Sequence, residues 1–288
     1  MALHLTMQCP HCYHSIIKKN GFYRQKLTRK YIQRFQCKHC RSKFSTSTLS
    51  ITYQQKKPFI NKTIYLGLCS ATSLRRLAKN LGVSFMTVYR RFLWMSSLAE
   101  TAHKQFLDSL TEAQELFLDE MESIEHTKLK PLTIPLIIDA NQRILGVQVG
   151  EIPAKGQLAS IARKKYGPRN HESELRMREL LESLPKSIRP LVVNSDGKSS
   201  YPELIKNRWP GVIHRQHPRR PEKIKETPFL MANKVRFDPM FAINQRCAKL
   251  RADVNRLIRR SWCTTKKLEH LRKHLLIYAC YNNGLSLV

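Results

Sequence analysis

The chain has 288 residues, of which 51 are Lys or Arg and 21 Asp or Glu, giving a formal net charge of +30 with 42% hydrophobic residues. That apolar content excludes a disordered polycation, the length admits more than one domain, and the charge favours a polyanionic partner. The longest apolar run near the C-terminus, Leu275 to Cys280, is too short to span a bilayer. Met1 to Thr6 shows no charged region ahead of an apolar core, so no signal peptide is expected. Half of the eight cysteines pair as CxxC units, which suits a reducing compartment. The expected location is therefore cytoplasmic and nucleoid-associated, away from membranes. No Asp or Glu precedes Glu100, while residues 1–99 hold 18 Lys and Arg. The remaining 33 basic and 21 acidic residues leave residues 100–288 at 33 − 21 = +12, so any carboxylate chemistry must lie there.

Cys9-Pro10-His11-Cys12 and Cys37-Lys38-His39-Cys40 bracket the 24 residues from Tyr13 to Gln36. Two CxxC knuckles at such spacing predict four thiolates around one structural Zn²⁺, closed to substrate; two disulfides are the alternative. Lys19 to Tyr23 reads as a strand-turn-strand hairpin about Gly21, and Tyr31 to Gln36 as the strand into the second knuckle. Lys18, Lys19, Arg24, Arg34 and Lys43, interleaved with Phe22, Tyr23, Tyr31 and Phe35, offer phosphate contacts and stacking surfaces. Some of those aromatics must instead pack the ribbon's own core.

After a polar connection, Leu74, Leu77, Ala78 and Leu81 lie on one helical face behind a Thr72 or Ser73 cap. Gly82 permits a tight turn and Ser84 caps the next helix, which is the pattern of a helix-turn-helix. A preceding helix near Lys62 to Cys69 completes a three-helix unit, and Met95 to Leu110 continues as helix. The expected DNA-facing positions are Ser84, Phe85, Met86, Tyr89 and Arg90, with Arg91 at the phosphates; a helical hairpin without a DNA role is the alternative.

From Glu115 the texture changes. Leu116 to Met121, Thr133 to Ile138 and Arg143 to Val149 read as three strands, the last two joined at Asp139 to Gln142. Glu172 to Ser183 reads as an amphipathic helix, and Pro190 to Val193 as a strand buried on both faces that ends at Asn194-Ser195-Asp196-Gly197. A helix from Tyr201 and a short strand at Gly211 to His214 follow. This order describes an α/β sheet of RNase H type, in which the first and fourth strands are neighbours. Residues 215–242 read as an irregular basic insertion. One helix follows, carrying Ile243, Cys247, Leu250, Val254 and Leu257. After a break at Trp262 and Cys263, a second is capped by Thr264 or Thr265 and runs through Tyr281.

Three acids stand out: Asp119 inside the first strand, Asp196 at the end of a central one, and Glu269 on the last helix. Converging carboxylates repel unless cations neutralise them. Hard oxygen ligands suit two Mg²⁺ or Mn²⁺ ions about 3.5–4 Å apart, a geometry for phosphodiester chemistry. Each acid also has a plainer role. Asp119 could be a strand acid with Glu120, Glu122 and Glu125 as rivals, Asp196 a turn former, and Glu269 the partner of Lys273 one turn on. Cys247 and Cys263 read as buried, inert thiols.

With these residues in place the chain resembles the DDE transposases of bacterial insertion sequences, most closely the insertion-sequence-one type. The resemblance is carried by the two knuckles, the Ala78-Gly82-Val88 turn, Leu118-Asp119-Glu120, Asn194-Ser195-Asp196-Gly197, and the tail from Leu250 to Arg260 with Cys263, Glu269 and Lys273. It covers most of the chain in order, with residues 215–242 unmatched. It implies a multidomain protein: a four-cysteine zinc ribbon at 1–56, a helix-turn-helix domain and connecting helix at 57–110, and an RNase H-like catalytic domain at 111–288. It further implies the triad Asp119, Asp196 and Glu269, Mg²⁺-dependent cleavage and strand transfer, and Lys273 on the DNA. Expected partners are double-stranded element ends and target DNA, bound by a homodimer or higher oligomer. The alternatives are a non-enzymatic DNA-binding regulator with an inert catalytic-like domain, and a metal-dependent structure-selective nuclease.

Overall fold

The structure is a computed structural model that describes residues 7–25, 29–111, 113–218, 238–258 and 264–288. The chain forms two compact units, Met1–Ile60 and Asn61–Val288.

The first unit holds a three-stranded antiparallel sheet in the order β1 (Ile17–Arg24), β2 (Tyr31–Cys37), β3 (Lys43–Ser45). Gly21 does not make the expected hairpin. It lies within β1 at φ +70°, where the register slips between Lys19 and Phe22. Only glycine enters this left-handed region without strain, so it serves a bulge as readily as a turn. The reversal falls later, where Gln25 N–H donates to Lys30 O at 2.8 Å. The core is small: Cys9, Phe35, Cys37 and Phe44 are buried together, with the two Phe rings stacked at 5.7 Å. Phe22 and Tyr31 are exposed, and the Tyr23 hydroxyl bonds Ser47 at 2.8 Å.

The second unit opens with α1 (Asn61–Leu68), α2 (Leu74–Asn80) and α3 (Phe85–Ser109). Ser73 caps α2 by accepting from Arg76 N–H, Ser84 caps α3 by accepting from Thr87 N–H, and Gly82 turns between them at φ +58°. A six-stranded sheet follows, built from β4 (Glu115–Ile124), β5 (Pro131–Asp139), β6 (Ile144–Val147), β7 (Gly150–Glu151), β8 (Val192–Asp196) and β9 (Ile213–His217). The order is β6-β5-β4-β8-β9, with β7 on β5. β4 runs antiparallel to β5 and parallel to β8, and β8 parallel to β9. The helices are α4 (Leu158–Tyr166), not among the expected elements, α5 (Ser173–Ser183), α6 (Tyr201–Arg208), α7 (Phe241–Asp253) and α8 (Leu268–Asn282).

Side-chain alternation divides the sheet's faces. Leu116, Leu118 and Val193 join Met177, Leu180, Leu204 and Ile205 in one core beneath α5 and α6. The opposite face of β4 meets α7, while α8 packs on α3 and β6. Helices α1 to α3 lie in the same compact unit as the sheet. His274 of α8 bonds Leu68 O at 2.8 Å and Tyr65 of α1 donates to Leu285 O at 2.7 Å, tying α1 to α8 and the tail that follows it. No helix of the described residues is long and apolar enough to cross a membrane.

Candidate metal centres and nucleic-acid interface

The β4–β8 ladder ends at Leu118↔Ser195, so the next residues on each strand are Asp119 and Asp196. Since Leu118 points into the α5/α6 core, Asp119 points to the other face, and Asp196 does the same one residue past Ser195. Two acids from distant parts of the chain thus stand side by side, Asp119 buried and Asp196 half-buried. Asp119 Oδ1 accepts from Glu120 N–H at 2.7 Å and Asp196 Oδ1 from Lys198 N–H at 3.2 Å. Asp196 is therefore also the turn former that Asp-Gly suggested. Gly197 is needed for close approach: a Cβ there would lie 2.9 Å from Pro218 Cα. The negative potential reaches their surroundings. Burial and then the charge of Asp119 push the Cys247 thiol up to about 12. Burial, then Glu120, Asp196 and Asp119, raise the Tyr201 hydroxyl well above its ordinary value. Adjacent carboxylates in such a site fit a hard divalent cation such as Mg²⁺ or Mn²⁺.

Glu269 is not brought into this group. It lies in the first turn of α8 with its side chain 65% exposed, paired to Lys273 at 2.5 Å, and that ammonium holds its carboxyl below the usual range. Among the described residues, the four N-terminal cysteines are the one set of three or more Cys, His, Asp or Glu whose ligand atoms lie within 4.8 Å of one another. The helix that meets β4 is α7, whose buried stripe is Ile243, Cys247 and Leu250. Its one acid, Asp253, accepts from Tyr278 at 2.7 Å.

Sequence reasoning missed His217, which pairs with Asp196 in the β8–β9 register. Its Nε2–H donates to Asn194 Oδ1 at 3.0 Å, and Asn194 Nδ2 donates to Glu115 at 2.8 Å. A carboxylate can only accept, which fixes the amide and in turn the imidazole tautomer. Residues 215–217, expected in an irregular insertion, belong to β9, and residues 241–242 to α7; 219–237 lie outside the described residues, as do Trp262 and Cys263.

In the first unit, Cys9 Sγ lies 3.6 Å from Cys40 Sγ, and Cys12 Sγ 3.6 Å from Cys37 Sγ. A disulfide would require about 2.05 Å, whereas thiolates about 2.3 Å from a tetrahedral Zn²⁺ stand about 3.8 Å apart. The donor set and spacing fit zinc. The Ser42 hydroxyl and backbone N–H hold the Cys40 thiol down to about 6. At Cys12 the His14 backbone N–H lowers the thiol, but burial and the three neighbouring sulfurs push it up to about 12.

Of the expected DNA-facing residues, Phe85, Met86 and Arg90 are exposed and Ser84 serves as the cap. Tyr89 is half-buried, stacked on Phe85 at 6.0 Å and bonded to His270 at 3.1 Å. Arg91 turns partly inward: its Nε is buried without a hydrogen-bond partner, and burial lowers its pKa. Lys273 is the partner of Glu269.

No protein-family model matches the chain, and no curated protein does. Among solved structures, a Mos1 strand transfer complex is similar at 11% identity over 75% of this chain and 74% of that one, with a TM-score of 0.23. A pre-cleavage Mos1 transpososome gives 10% over 74% of each chain and 0.18. The catalytic domain of Mos1 mariner transposase gives 12% over 68% and 95%, and 0.19. Likeness at this level leaves the functional reading to the chain's own residues.

Proposed function

We propose that the chain is a DNA transposase of the DDE type, with an RNase H-like catalytic unit that binds element ends and cuts and joins DNA. The observation that carries this reading is that Asp119 and Asp196 follow directly on the last paired residues of the parallel β4–β8 ladder. The two would hold Mg²⁺ or Mn²⁺, and a bound divalent ion supplies Lewis-acid activation of water and of the scissile phosphate. The chain's own part is to aim both carboxylates at one point, through the backbone N–H groups of Glu120 and Lys198. The exposed Phe85, Met86 and Arg90 at the start of α3 present a surface for a DNA groove, and the ribbon's lysines and arginines contact phosphates. A symmetric dimer on DNA would bring two ends together.

Glu269 is proposed as the third acid on the sequence resemblance. It joins the centre only if its carboxylate leaves Lys273 and the first turn of α8 shifts. Its present separation favours one competing reading, a DNA-binding regulator with an inert catalytic-like unit. Incubation with labelled element ends, target plasmid and Mg²⁺ or Mn²⁺ separates these: joined product supports the transposase, cleavage without joining a nuclease, binding without either the regulator. Asp119→Asn and Asp196→Asn should each abolish cleavage by at least about 10³-fold while DNA binding persists. Metal-dependent cleavage retained by Asp196→Asn would sink the assignment, and undiminished cleavage by Glu269→Gln would remove Glu269 from the site.

A further inference from the structure

The two backbone donors that hold the candidate carboxylates belong to residues whose own side chains are joined on the other face of the sheet. Glu120 N–H serves Asp119 and Lys198 N–H serves Asp196, and Lys198 Nζ forms an ion pair with Glu120 Oε1. The pair is enclosed in a full set of partners. Glu120 Oε2 accepts from Thr133 at 2.7 Å and Ser173 at 2.6 Å, Oε1 accepts from Tyr201 at 3.2 Å, and Lys198 Nζ also reaches Ser173 Oγ.

Stability is a poor explanation for this arrangement, because the pair is half-buried, and ion pairs taken out of water commonly stabilise no more than well-packed apolar residues of the same volume. Position explains it better. The β4–β8 ladder stops one residue short of the two acids. Beyond it, the Glu120–Lys198 bond ties β4 to the turn that carries Asp196.

We infer that Glu120 and Lys198 form a positioning clamp that sets the separation of the Asp119 and Asp196 carboxylates, and with it the divalent-metal affinity of the centre. The inference rests on the reading of those two acids as metal ligands. Glu120 and Lys198 are positioning residues that act through their backbone amides and do not touch the metal.

The test is Mn²⁺ binding to the full chain, followed by electron paramagnetic resonance titration with a thermal melt of each variant. Wild type should bind Mn²⁺ at a site that Asp196→Asn removes. Lys198→Met should weaken that site by about 10–100-fold, the range seen when groups supporting metal ligands are lost, and Lys198→Arg should restore most of the affinity. The double variant Glu120→Gln with Lys198→Met removes both charges of the pair, and should fold while showing the same weakened binding. Arg143→Met, which strips the partner from the buried Asp139 in another turn, should lower the melting temperature without changing Mn²⁺ affinity. Wild-type affinity in the folded double variant, or equal weakening by Arg143→Met, would overturn the clamp with the metal site intact. Wild-type protein lacking any Mn²⁺ site sensitive to Asp196→Asn would overturn the metal reading and the clamp together.

Discussion

His274 shows how one residue's burial becomes a property of the protein. It is enclosed between α8 and α1, with its ring against Phe92 and Nε2–H donating to Leu68 O. Burial, then the charge of Arg256, push its pKa down to about 3, so the folded ring is neutral. In the unfolded chain a histidine takes up a proton below about 6.5. The unfolded state therefore binds more protons as pH falls from about 6.5 toward 3, and stability should drop by up to about 1.4 kcal/mol per pH unit over that window. His103, buried against Ile144 O, shifts in the same direction. Melting temperatures measured from pH 7.5 to pH 5 should fall, and His274→Gln, which keeps a donor for Leu68 O, should flatten the slope. An unchanged slope would show that His274 does not control it. The acids show the opposite case of legibility. Asp119 and Asp196 can be picked out because each interrupts or ends an apolar strand. Glu269 can be picked out only as an acid in a basic tail, and the structure places it on a solvent-facing turn beside Lys273.

At the scale of elements, the four-cysteine unit and the central sheet obey different rules. The four-cysteine unit buries little apolar surface beyond Phe35, Phe44 and its own cysteines, so a zinc bound there would supply much of its stability, the binding free energy in small zinc modules being about 10–16 kcal/mol. Native mass spectrometry should find one zinc per chain. A strong chelator should unfold residues 7–60 while leaving most of the helical signal, which arises from the second unit. Loss of zinc without loss of ribbon structure would contradict this. The CxxC spacing makes the site readable without coordinates, since four thiolates two by two on knuckles have few other uses. Gly21 misleads because positive φ is shared by hairpin turns and bulges. β9 starts two residues and ends three residues later than its expected place, and α4 is not among the expected elements. β9 is an edge strand of mostly polar residues, His214, Arg215, Gln216 and His217, and α4 carries one buried residue, Ala162. β9 lacks the alternation that announces a strand, while α4 carries Leu158, Ile161 and Ala162 at helical spacing but leaves Leu158 and Ile161 exposed.

At the scale of the whole molecule, a net charge of +30 and an acid-free first third predict a phosphate-dominated interface. Affinity for duplex DNA should fall linearly on a log–log plot against salt, by about 10³–10⁵ between 50 and 200 mM if six to ten phosphates are contacted. Fluorescence anisotropy over that range checks it, and a flat response would argue against DNA as the main polyanion.

The sequence by itself determined the four-cysteine set, a cap at Thr72 or Ser73 and one at Ser84, the turn at Gly82, most strands of the sheet, and the candidacy of Asp119 and Asp196; the structure selects Ser73. These are decided by local chemistry: thiolate spacing, side-chain oxygens at helix starts, and apolar runs closed by turn residues. Only the tertiary structure decided that Asp119 and Asp196 stand side by side, that α7 meets β4 while α8 lies over β6 and α3, and that Glu120 and Lys198 meet behind the two acids. Those are consequences of strand order and register, which join residues scores of positions apart, and no local pattern in the chain encodes them.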